Sequence, residues 1–504
     1  MKFERASGVL LHPTSLPGHY GIGDLGPEAY RWIDFLDKTG CALWQVLPLG
    51  PTGYGDSPYQ CFSAFAGNPY IISLEKILEE GWLQLDDLSD IPMFPEDCVD
   101  YGALIPWKLA VLDRAYDRFS QIAAPVVQAE LQHFRLTNAA WLDDFALFMA
   151  IKETHNGAPW PTWESKLRDR YPEALKKAHR QLKESIQRQI FRQFLFFSQW
   201  NKLRAYSHSR GIRIIGDIPI FVAHDSADVW SHPDLFFLNK HGQPTVVAGV
   251  PPDYFSPTGQ LWGNPLYNWK VHKASNYAWW TERIRAVLGM VDIIRMDHFR
   301  GFSGYWQVPG KAKTAEKGRW VKAPGKHFFR TIGEALGELP IIAEDLGVIT
   351  PDVEELRDSN TFPGMKIIQF GFGSGPSDPF LPHNHIHGCV VYTGTHDNDT
   401  ARGWYERVGE EERDFYRQYL ARDGRDVAWD MIRAAWSSVA VFALAPLQDL
   451  LDLGNEARMN YPGNPSGNWS WRMPADTLTE PLEKRFKLMN FLYCREKPQR
   501  KTDL

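Results

Sequence analysis

Short apolar runs separated by longer amphipathic segments recur along the 504-residue chain. Eight runs have the length and composition of buried strands, and the segments between them show the spacing of apolar residues that is typical of helices. The runs are GVLLH (8–12), ALWQVLPL (42–49), RIIGDIPI (213–220), DIIRMDHFRG (292–301), PIIAEDLG (340–347), GMKIIQFGF (364–372), VVYTGTHDND (390–399) and VAVFALAPL (439–447). Strands alternating with helices predict an α/β fold, a (β/α)₈ TIM barrel spanning residues 1–504 as one elaborated domain. The length alone also allows several domains.

Helix boundaries are marked by proline and glycine. Pro27 suits the first position of a helix over residues 27–39, and Gly40 ends it. A long amphipathic helix is predicted over residues 182–209. Further helices are predicted over residues 277–288 and 326–337, and another begins at Pro351.

Two long insertions interrupt the alternation of strands and helices. Residues 68–180, after the second strand, are charged but rich in apolar residues, which predicts a mostly helical subdomain. Residues 224–275, after the third strand, are rich in proline, glycine and aromatic residues. We interpret them as an irregular loop insertion at the active site. The basic segment 311–326 is interpreted as a solvated lid.

Four of the predicted strands end in carboxylates, at Asp217, Asp297, Glu344 and Asp397. In a parallel barrel these ends share one face, the face on which active sites lie. Arg295 and Asp297 project from the same side of their strand. We therefore expect Arg295 to keep Asp297 ionised and to lower its pKa. Taken alone, this pair is equally consistent with a structural ion pair or a helix cap.

Composition narrows the possible functions. A net charge of −6 gives no reason to expect a nucleic acid or membrane partner. Five cysteines without metal-type spacing, and no apolar signal core in MKFERASG, predict a cytoplasmic protein with free thiols. The glycines at 21–26 match G-x-G-x-x-G, but prolines separate them from the strand, so we reject a dinucleotide site. The histidines of HNHIH (383–387) have no nearby acid, so no metal is expected.

Several carboxylates at the mouth of a barrel that is rich in aromatics suit glycoside cleavage. That chemistry needs one protonated acid and one ionised nucleophile or base. Asp297 suits the ionised role. The charge of Asp297 is expected to favour the protonated form of Glu344 on the next strand. The 20 Trp, 19 Tyr and 29 Phe offer faces for sugar stacking, although a large core also uses aromatics.

Further motifs carry a family resemblance. GDIPI (216–220), RMDHF (295–299), IIAEDLG (341–347) and TGTHDND (393–399) resemble the four ordered motifs of the α-amylase superfamily. GYGDSPYQ (53–60), FVAHDSADVW (221–230), PPDYFSPTGQLWGNPLYNW (251–269) and NYPGNPSGNW (460–469) resemble those of the 4-α-glucanotransferases, glycoside hydrolase family 77. The resemblance covers almost the whole chain.

The resemblance implies an enzyme that moves α-1,4-glucan segments between chains, with maltooligosaccharides as substrates, glucose as acceptor and no cofactor. It implies a retaining mechanism with Asp297 as nucleophile, Glu344 as acid/base and Asp397 as transition-state stabiliser. The substrate-binding set expected is Tyr54, Tyr59, Asp217, Tyr254, Phe255, Trp262, Arg295, His298, His396 and Asn468. We expect a monomer or weak homo-oligomer.

Two rival classes remain on sequence grounds. The first is a hydrolase, or another superfamily member with the same triad; the loop 251–269 argues against it. The second is an inactive glucan-binding protein, which would be expected to lack Asp297 or Glu344. The aromatics of the 251–269 loop are expected to cover the intermediate and stack on sugar. Alternatively, they only anchor the loop to the barrel.

Overall fold

The computed structural model describes residues 3–252, 256–464 and 466–498. Twelve strands lie within these ranges, and they belong to two sheets. The strands are β1 (Ala6–Leu10), β2 (Leu43–Gln45), β3 (Arg213–Ile218), β4 (Val246–Val250), β5 (Gln260–Pro265), β6 (Ile293–Met296), β7 (Gly304–Pro309), β8 (Arg319–Lys322), β9 (Ile341–Ala343), β10 (Gly364–Ile367), β11 (Cys389–Tyr392) and β12 (Phe442–Pro446).

Eighteen α-helices lie in the described part of the chain, most of them between or around the strands. They are α1 (Pro27–Lys38), α2 (Leu74–Glu79), α3 (Tyr101–Ile122), α4 (Pro125–Thr137), α5 (Ala139–Thr154), α6 (Ser165–Arg168), α7 (Pro172–Gln181), α8 (Lys183–Ser209), α9 (Ala227–Ser231), α10 (Trp269–Ala274), α11 (Ala278–Met290), α12 (Gly325–Leu336), α13 (Pro351–Ser359), α14 (Ala401–Arg407), α15 (Glu410–Leu420), α16 (Val427–Ser437), α17 (Leu447–Leu450) and α18 (Glu480–Leu492). The helices predicted between barrel strands therefore begin and end within about two residues of their expected bounds.

The larger sheet contains eight parallel strands in the order β10-β11-β12-β1-β2-β3-β6-β9. Its two edge strands, β9 and β10, approach each other and nearly close the barrel. The Ala343 N–H donates to Pro363 O at 2.9 Å. The Met365 N–H donates to Asp345 Oδ1 at 2.6 Å. This arrangement confirms the predicted (β/α)₈ architecture.

The barrel interior is a packed apolar core, as expected for eight short strands. Its buried residues come from all eight strands or the positions beside them. They are Ala6, Ala42, Leu43, Ile215, Ile293, Ile342, Met365, Ile367, Val390, Tyr392, Val441, Phe442 and Leu444. One polar contact crosses this interior, because the Tyr392 hydroxyl donates to Gln45 Oε1 at 2.8 Å.

A second, antiparallel sheet in the order β5-β4-β7-β8 corrects the interpretation of one segment as irregular and places a strand in another, whose interpretation as a solvated lid stays a prediction. The segment 224–275 is not wholly irregular, since it contributes strands β4 and β5 and helices α9 and α10. The basic segment 311–326 contains strand β8, which pairs with β7 from Gly304↔Lys322 to Gln307↔Arg319. Glycine and proline occur beside or within these strands, and that composition favours a loop interpretation over a strand.

Residues 68–180 hold the six helices α2 to α7. Their longest member, α3, begins where the Asp100 side chain accepts the N–H of Ala103 at 3.1 Å. This capping bond satisfies one of the free donors of the first turn. Helix α5 packs against α8 of the barrel. The interpretation of this segment as a subdomain stays a prediction.

Candidate functional site

The carboxyl ends of β3, β6, β9 and β11 bring four carboxylates to one rim of the barrel. Asp217 lies within β3, Asp297 and Glu344 directly follow β6 and β9, and Asp397 follows β11 by five residues. Since all four strands run parallel, their ends lie on the same face.

Arg295 joins two of these carboxylates. Its Nη1 lies 2.8 and 2.7 Å from the two oxygens of Asp217 and 3.0 Å from Asp297 Oδ1. Burial opposes the charge on Arg295, but Asp217 and Asp297 hold its pKa above the ordinary value. Burial also raises the pKa of Asp217, and Arg295 counteracts that rise. The group is a buried ionic cluster at the floor of the cleft.

The pKa of Asp297 is raised to about 6, because burial of the carboxyl outweighs the opposing effect of Arg295. Arg295 acts in the expected direction, because it lowers the pKa of Asp297, but the net shift is upward since burial is the larger effect. The sequence identified the cation but not the extent of desolvation, which is set by the surrounding fold. Near pH 7 a carboxyl with a pKa of about 6 is still ionised by about ten to one.

Glu344 is held beside Asp297 by backbone bonds from the β6 segment. The His298 N–H donates to Glu344 Oε2 at 2.6 Å. The Glu344 N–H donates to Met296 O at 3.1 Å, and the Phe299 N–H donates to Glu344 O at 3.0 Å. Burial, followed by the charge of Asp297, raises the pKa of Glu344 to about 8. The direction agrees with the sequence expectation, although burial is the larger cause.

His298 reaches this position through a left-handed backbone, with φ at 46°. Such a φ is uncommon for a residue other than glycine, and it aims the amide at the Glu344 carboxylate. Burial lowers the pKa of the His298 imidazole to about 3. The ring meets Trp262 edge-on, with centroids 4.8 Å apart. The structure thus brings His298 and Trp262 together beside the acid.

Two residues of the segment that follows α17 donate hydrogen bonds to Asp397. The Asn460 Nδ2 donates to Asp397 Oδ1 at 2.6 Å, and Arg458 Nη2 donates to the backbone oxygen of Asp397 at 2.6 Å. His396 Nε2 lies 3.4 Å from Asp397 Oδ2. The Asp397 side chain remains 45% exposed, so the held carboxylate faces the open cleft.

An aromatic wall stands beside these acids. The rings of Tyr59 and His396 stack with centroids 5.1 Å apart, and Trp469 lies 5.7 Å from Tyr59 and 5.8 Å from His396. The Tyr59 hydroxyl donates to Asp217 Oδ2 at 2.7 Å. Burial lowers the pKa of His396. Tyr59 and His396, both predicted from the sequence, therefore share one surface.

Two predicted residues are not brought into this cluster. Tyr54 lies in a turn (Tyr54–Asp56), and 77% of its surface is exposed. The Asn468 side chain is used within its own loop, where Oδ1 accepts the Tyr461 N–H and Nδ2 donates to Asn464 O, each at 2.9 Å. Tyr254 and Phe255 lie outside the described residues.

Three contacts were not assigned to the site from the sequence: those of Arg458, Asn460 and Trp469. They lie about sixty to seventy residues beyond Asp397, and the sequence placed Asn460 and Trp469 in a loop, residues 451–475, that could reach the barrel face, without a role for either. Trp469 has a left-handed backbone, with φ at 63°. No residue spacing predicts that it meets Tyr59.

The site is an acid/base cluster with apolar walls. Among the described residues, no group of three or more histidines, cysteines and acids is arranged to hold a metal ion. His383 and His385 instead contact backbone oxygens, of Pro376 at 2.8 Å and Phe380 at 2.9 Å. In the same ranges, no helix has the length and apolar content needed to cross a membrane.

Comparison with known proteins shows the family to which the chain is similar. A family model described as 4-alpha-glucanotransferase (Glyco_hydro_77) matches residues 11–479. The chain is 52% identical to the 4-alpha-glucanotransferase of Thermus thermophilus, over 97% of this chain and 99% of that one. It is 51% identical to the enzyme of that name from Synechocystis, over 98% of each chain.

A solved structure of similar fold supports the same family. The amylomaltase from Streptococcus agalactiae, in complex with acarbose, superposes with a TM-score of 0.95 at 41% identity, covering 98% of this chain and 100% of that chain. Both the matched length and the fold extend over almost the entire molecule. The chain therefore belongs to the 4-alpha-glucanotransferase family, glycoside hydrolase family 77, and is an enzyme of that activity.

Proposed function

We propose that this enzyme transfers α-1,4-glucan segments through a covalent glycosyl-enzyme intermediate, with retention at the anomeric carbon. The observation that supports this most directly is a pair of neighbouring carboxyls in different surroundings, since Asp297 Oδ1 lies 3.0 Å from Arg295 Nη1 whereas Glu344 Oε2 accepts the backbone N–H of His298 at 2.6 Å. The pKa of Asp297 is about 6 and that of Glu344 is about 8. Near pH 7 one is therefore mostly ionised and the other mostly protonated, which is the pairing that a retaining mechanism uses.

In the first step, an ionised Asp297 oxygen attacks the anomeric carbon of the donor. The bond from that carbon to the glycosidic oxygen breaks, and Glu344 gives its proton to the leaving 4-oxygen. The backbone N–H of His298 binds Glu344 Oε2 at 2.6 Å and so fixes the direction in which the acid points. Asp397 is assigned to stabilise the positive charge that develops on the sugar.

In the second step, the 4-hydroxyl of an acceptor attacks the same carbon. Glu344, now a carboxylate, takes the acceptor's proton, and the bond to Asp297 breaks. Glucose and other maltooligosaccharides are the proposed acceptors. Transfer exceeds hydrolysis only if the site excludes water and raises the effective concentration of the acceptor. Trp262 and the Tyr59–His396–Trp469 wall are assigned to that task, with Arg295 and Asp217 supporting Asp297.

Two further assignments accompany this proposal. A cytoplasmic location is consistent with five cysteines that are all free. A monomer or weak homo-oligomer stays a prediction, to be tested by sedimentation.

Incubating the enzyme with maltotriose tests the transfer reaction. The expected products are glucose and a ladder of oligosaccharides longer than the donor. Products limited to glucose and maltose contradict transfer. The intermediate is tested with Glu344→Gln and α-glucosyl fluoride, whose leaving group needs no proton. Mass spectrometry should then find one glucosyl unit on the peptide that contains Asp297. A label on another peptide contradicts the assigned nucleophile.

A further inference from the structure

Asn460 makes a direct contact with a carboxylate of the site, yet it lies in a different segment of the chain. Its Nδ2 donates to Asp397 Oδ1 at 2.6 Å. The segment that carries it is anchored at several points. Arg458 binds Asn460 O through Nε at 2.7 Å and Asp397 O through Nη2 at 2.6 Å. Arg458 Nη1 also pairs with Asp399.

The anchoring continues beyond Asn460. The Arg458 guanidinium stacks over the Tyr461 ring at 4.2 Å from its centroid. The Tyr461 N–H is bound by Asn468 Oδ1 at 2.9 Å, and the Trp469 N–H donates to Met459 O at 2.8 Å. These bonds fix the backbone on both sides of Asn460. Its amide is therefore preorganised rather than recruited by substrate.

The chemical type of this donor matters as much as its position. An arginine or lysine here would pair with Asp397 and offset its negative charge. The neutral Asn460 amide fixes the Asp397 carboxylate while leaving its full charge available to the sugar. Arg295, by contrast, is engaged with Asp217 and Asp297. The only hydrogen bond described to the Asp397 side chain is thus an uncharged one.

We propose that Asn460 is a positioning residue for Asp397, holding that carboxylate in the geometry that stabilises the transition state. The inference rests on the proposed role of Asp397. It predicts that losing the amide lowers kcat rather than substrate affinity, because the ground-state sugar does not require the positioned charge. It also predicts that a donor of the same shape restores activity only while it carries a proton.

Other groups around Asp397 set the electrostatic background for a pH test. The charged or titratable side chains whose contacts or fields reach it are His396 on its own loop, Asp297 after β6, Asp217 on β3, and Tyr59. Arg458 approaches its backbone. All of these are unchanged in the variants below, so a difference between variants reports on position 460.

Asn460→Ala removes the donor. We expect kcat for maltotriose disproportionation to fall about 10- to 100-fold with KM changed less than about threefold. The same loss is expected with α-glucosyl fluoride, because that substrate bypasses the proton from Glu344 but still needs charge stabilisation. A kcat within a factor of two of wild type, or a change confined to KM, overturns the proposal.

Asn460→Asp provides a readout that a damaged loop does not give. While the introduced carboxyl is protonated it donates to Asp397 as the amide does; once ionised it repels Asp397. The activity ratio of Asn460→Asp to Asn460→Ala should therefore rise at least about fivefold as pH falls from 8 to 5.5. A ratio independent of pH contradicts the inference, and equal thermal midpoints of the two variants at each pH exclude reduced folding as the cause of a changing ratio.

Tyr461→Phe is the matched control. It deletes the hydrogen bond from the Tyr461 hydroxyl to Asn455 O, 3.2 Å long, and leaves the Asn460–Asp397 bond in place. It should keep wild-type kcat and pH dependence. An equal loss of kcat in Tyr461→Phe and Asn460→Ala would assign the effect to loop stability and overturn the proposal. Failure of the transfer mechanism itself would appear in wild type, as maltotriose products no longer than the donor.

Discussion

Replacing Arg295 by methionine tests the electrostatics of the cleft floor most directly. Methionine keeps an unbranched chain of similar length but removes the charge and the three contacts that Nη1 makes, two to Asp217 and one to Asp297. The two carboxylates then remain in the same buried position without their cation. The substitution therefore changes mainly the pKa values of Asp217 and Asp297, and the packing around them changes little.

The size of the effect follows from the structure. A cation within hydrogen-bond distance lowers the pKa of a carboxyl by about 1–3 units. Removing it should raise the pKa of Asp297 from about 6 to between about 7 and 9. At pH 7 the ionised fraction of the nucleophile then falls from about nine-tenths to between about a half and a hundredth. The acid limb of the kcat/KM profile should move to higher pH by the same interval.

The free energy of unfolding of Arg295→Met should also depend on pH, because the same two carboxyls are involved. Leaving buried carboxylates unpaired costs about 3–5 kcal/mol. A carboxyl whose pKa is higher in the folded than in the unfolded protein binds protons preferentially in the folded state, so the protein gains stability as pH falls. The variant should therefore recover part of its loss between pH 8 and pH 5, which is the reverse of ordinary acid destabilisation.

Steady-state kinetics from pH 5 to 9 and urea unfolding at several pH values measure both effects. Arg283→Met is the control, because Arg283 is also buried but binds the backbone oxygens of Ile220 and Pro219 at 3.2 and 2.6 Å. It should lose stability without moving the acid limb. An acid limb within about 0.3 pH units of wild type in Arg295→Met would refute the reasoning.

Four further substitutions have defined outcomes. Asp297→Asn should lower kcat about 10³-fold or more while substrate still binds in a titration, and a variant with a tenth of wild-type rate contradicts its role. Trp262→Ala should raise the fraction of cycles that end on water, measured as free reducing ends against transferred segments; an unchanged fraction removes the ring from acceptor selection. Asp345→Ala should lower the free energy of unfolding in urea by about 1–3 kcal/mol, because the Met365 N–H loses its acceptor, and an unchanged midpoint contradicts that reasoning. Tyr59→Phe should lower the free energy of unfolding by about 1.5–3 kcal/mol in the same assay, because the hydrogen bond to Asp217 is lost while the ring contacts remain; an unchanged free energy of unfolding contradicts this.

The barrel was predictable because its signals are local. Apolar runs such as 292–296 and 340–343 are bounded by charged or turn residues, and Pro27 and Gly40 bracket a helix within a residue of its observed end. The rim position of the acids followed from the parallel topology alone. These features depend on a few adjacent residues, so the sequence carries them directly.

Other features depend on contacts between distant segments. Strand β4 pairs with β7 about sixty residues later, through Val246↔Pro309 and Gly249↔Trp306, and this pairing leaves no signal in either segment alone. The bond from Asn460 to Asp397 spans 63 positions. The raised pKa of Asp297 reflects burial by the whole rim. Such properties are set by the assembled fold, and residue spacing does not encode them.

The seam between β9 and β10 has a consequence for the motion of the acid/base. Most neighbouring barrel strands share a ladder of parallel backbone pairs, whereas a side-chain acceptor on Asp345 substitutes for one of these bonds at the seam. Amide protons of β9 should therefore exchange with solvent sooner than those of β1, which has paired strands on both edges. Glu344 thus follows a strand that has a backbone ladder on one edge only, the edge that faces β6. Hydrogen exchange should accordingly show less protection in the strand that leads to the acid/base than in the opposite wall of the barrel.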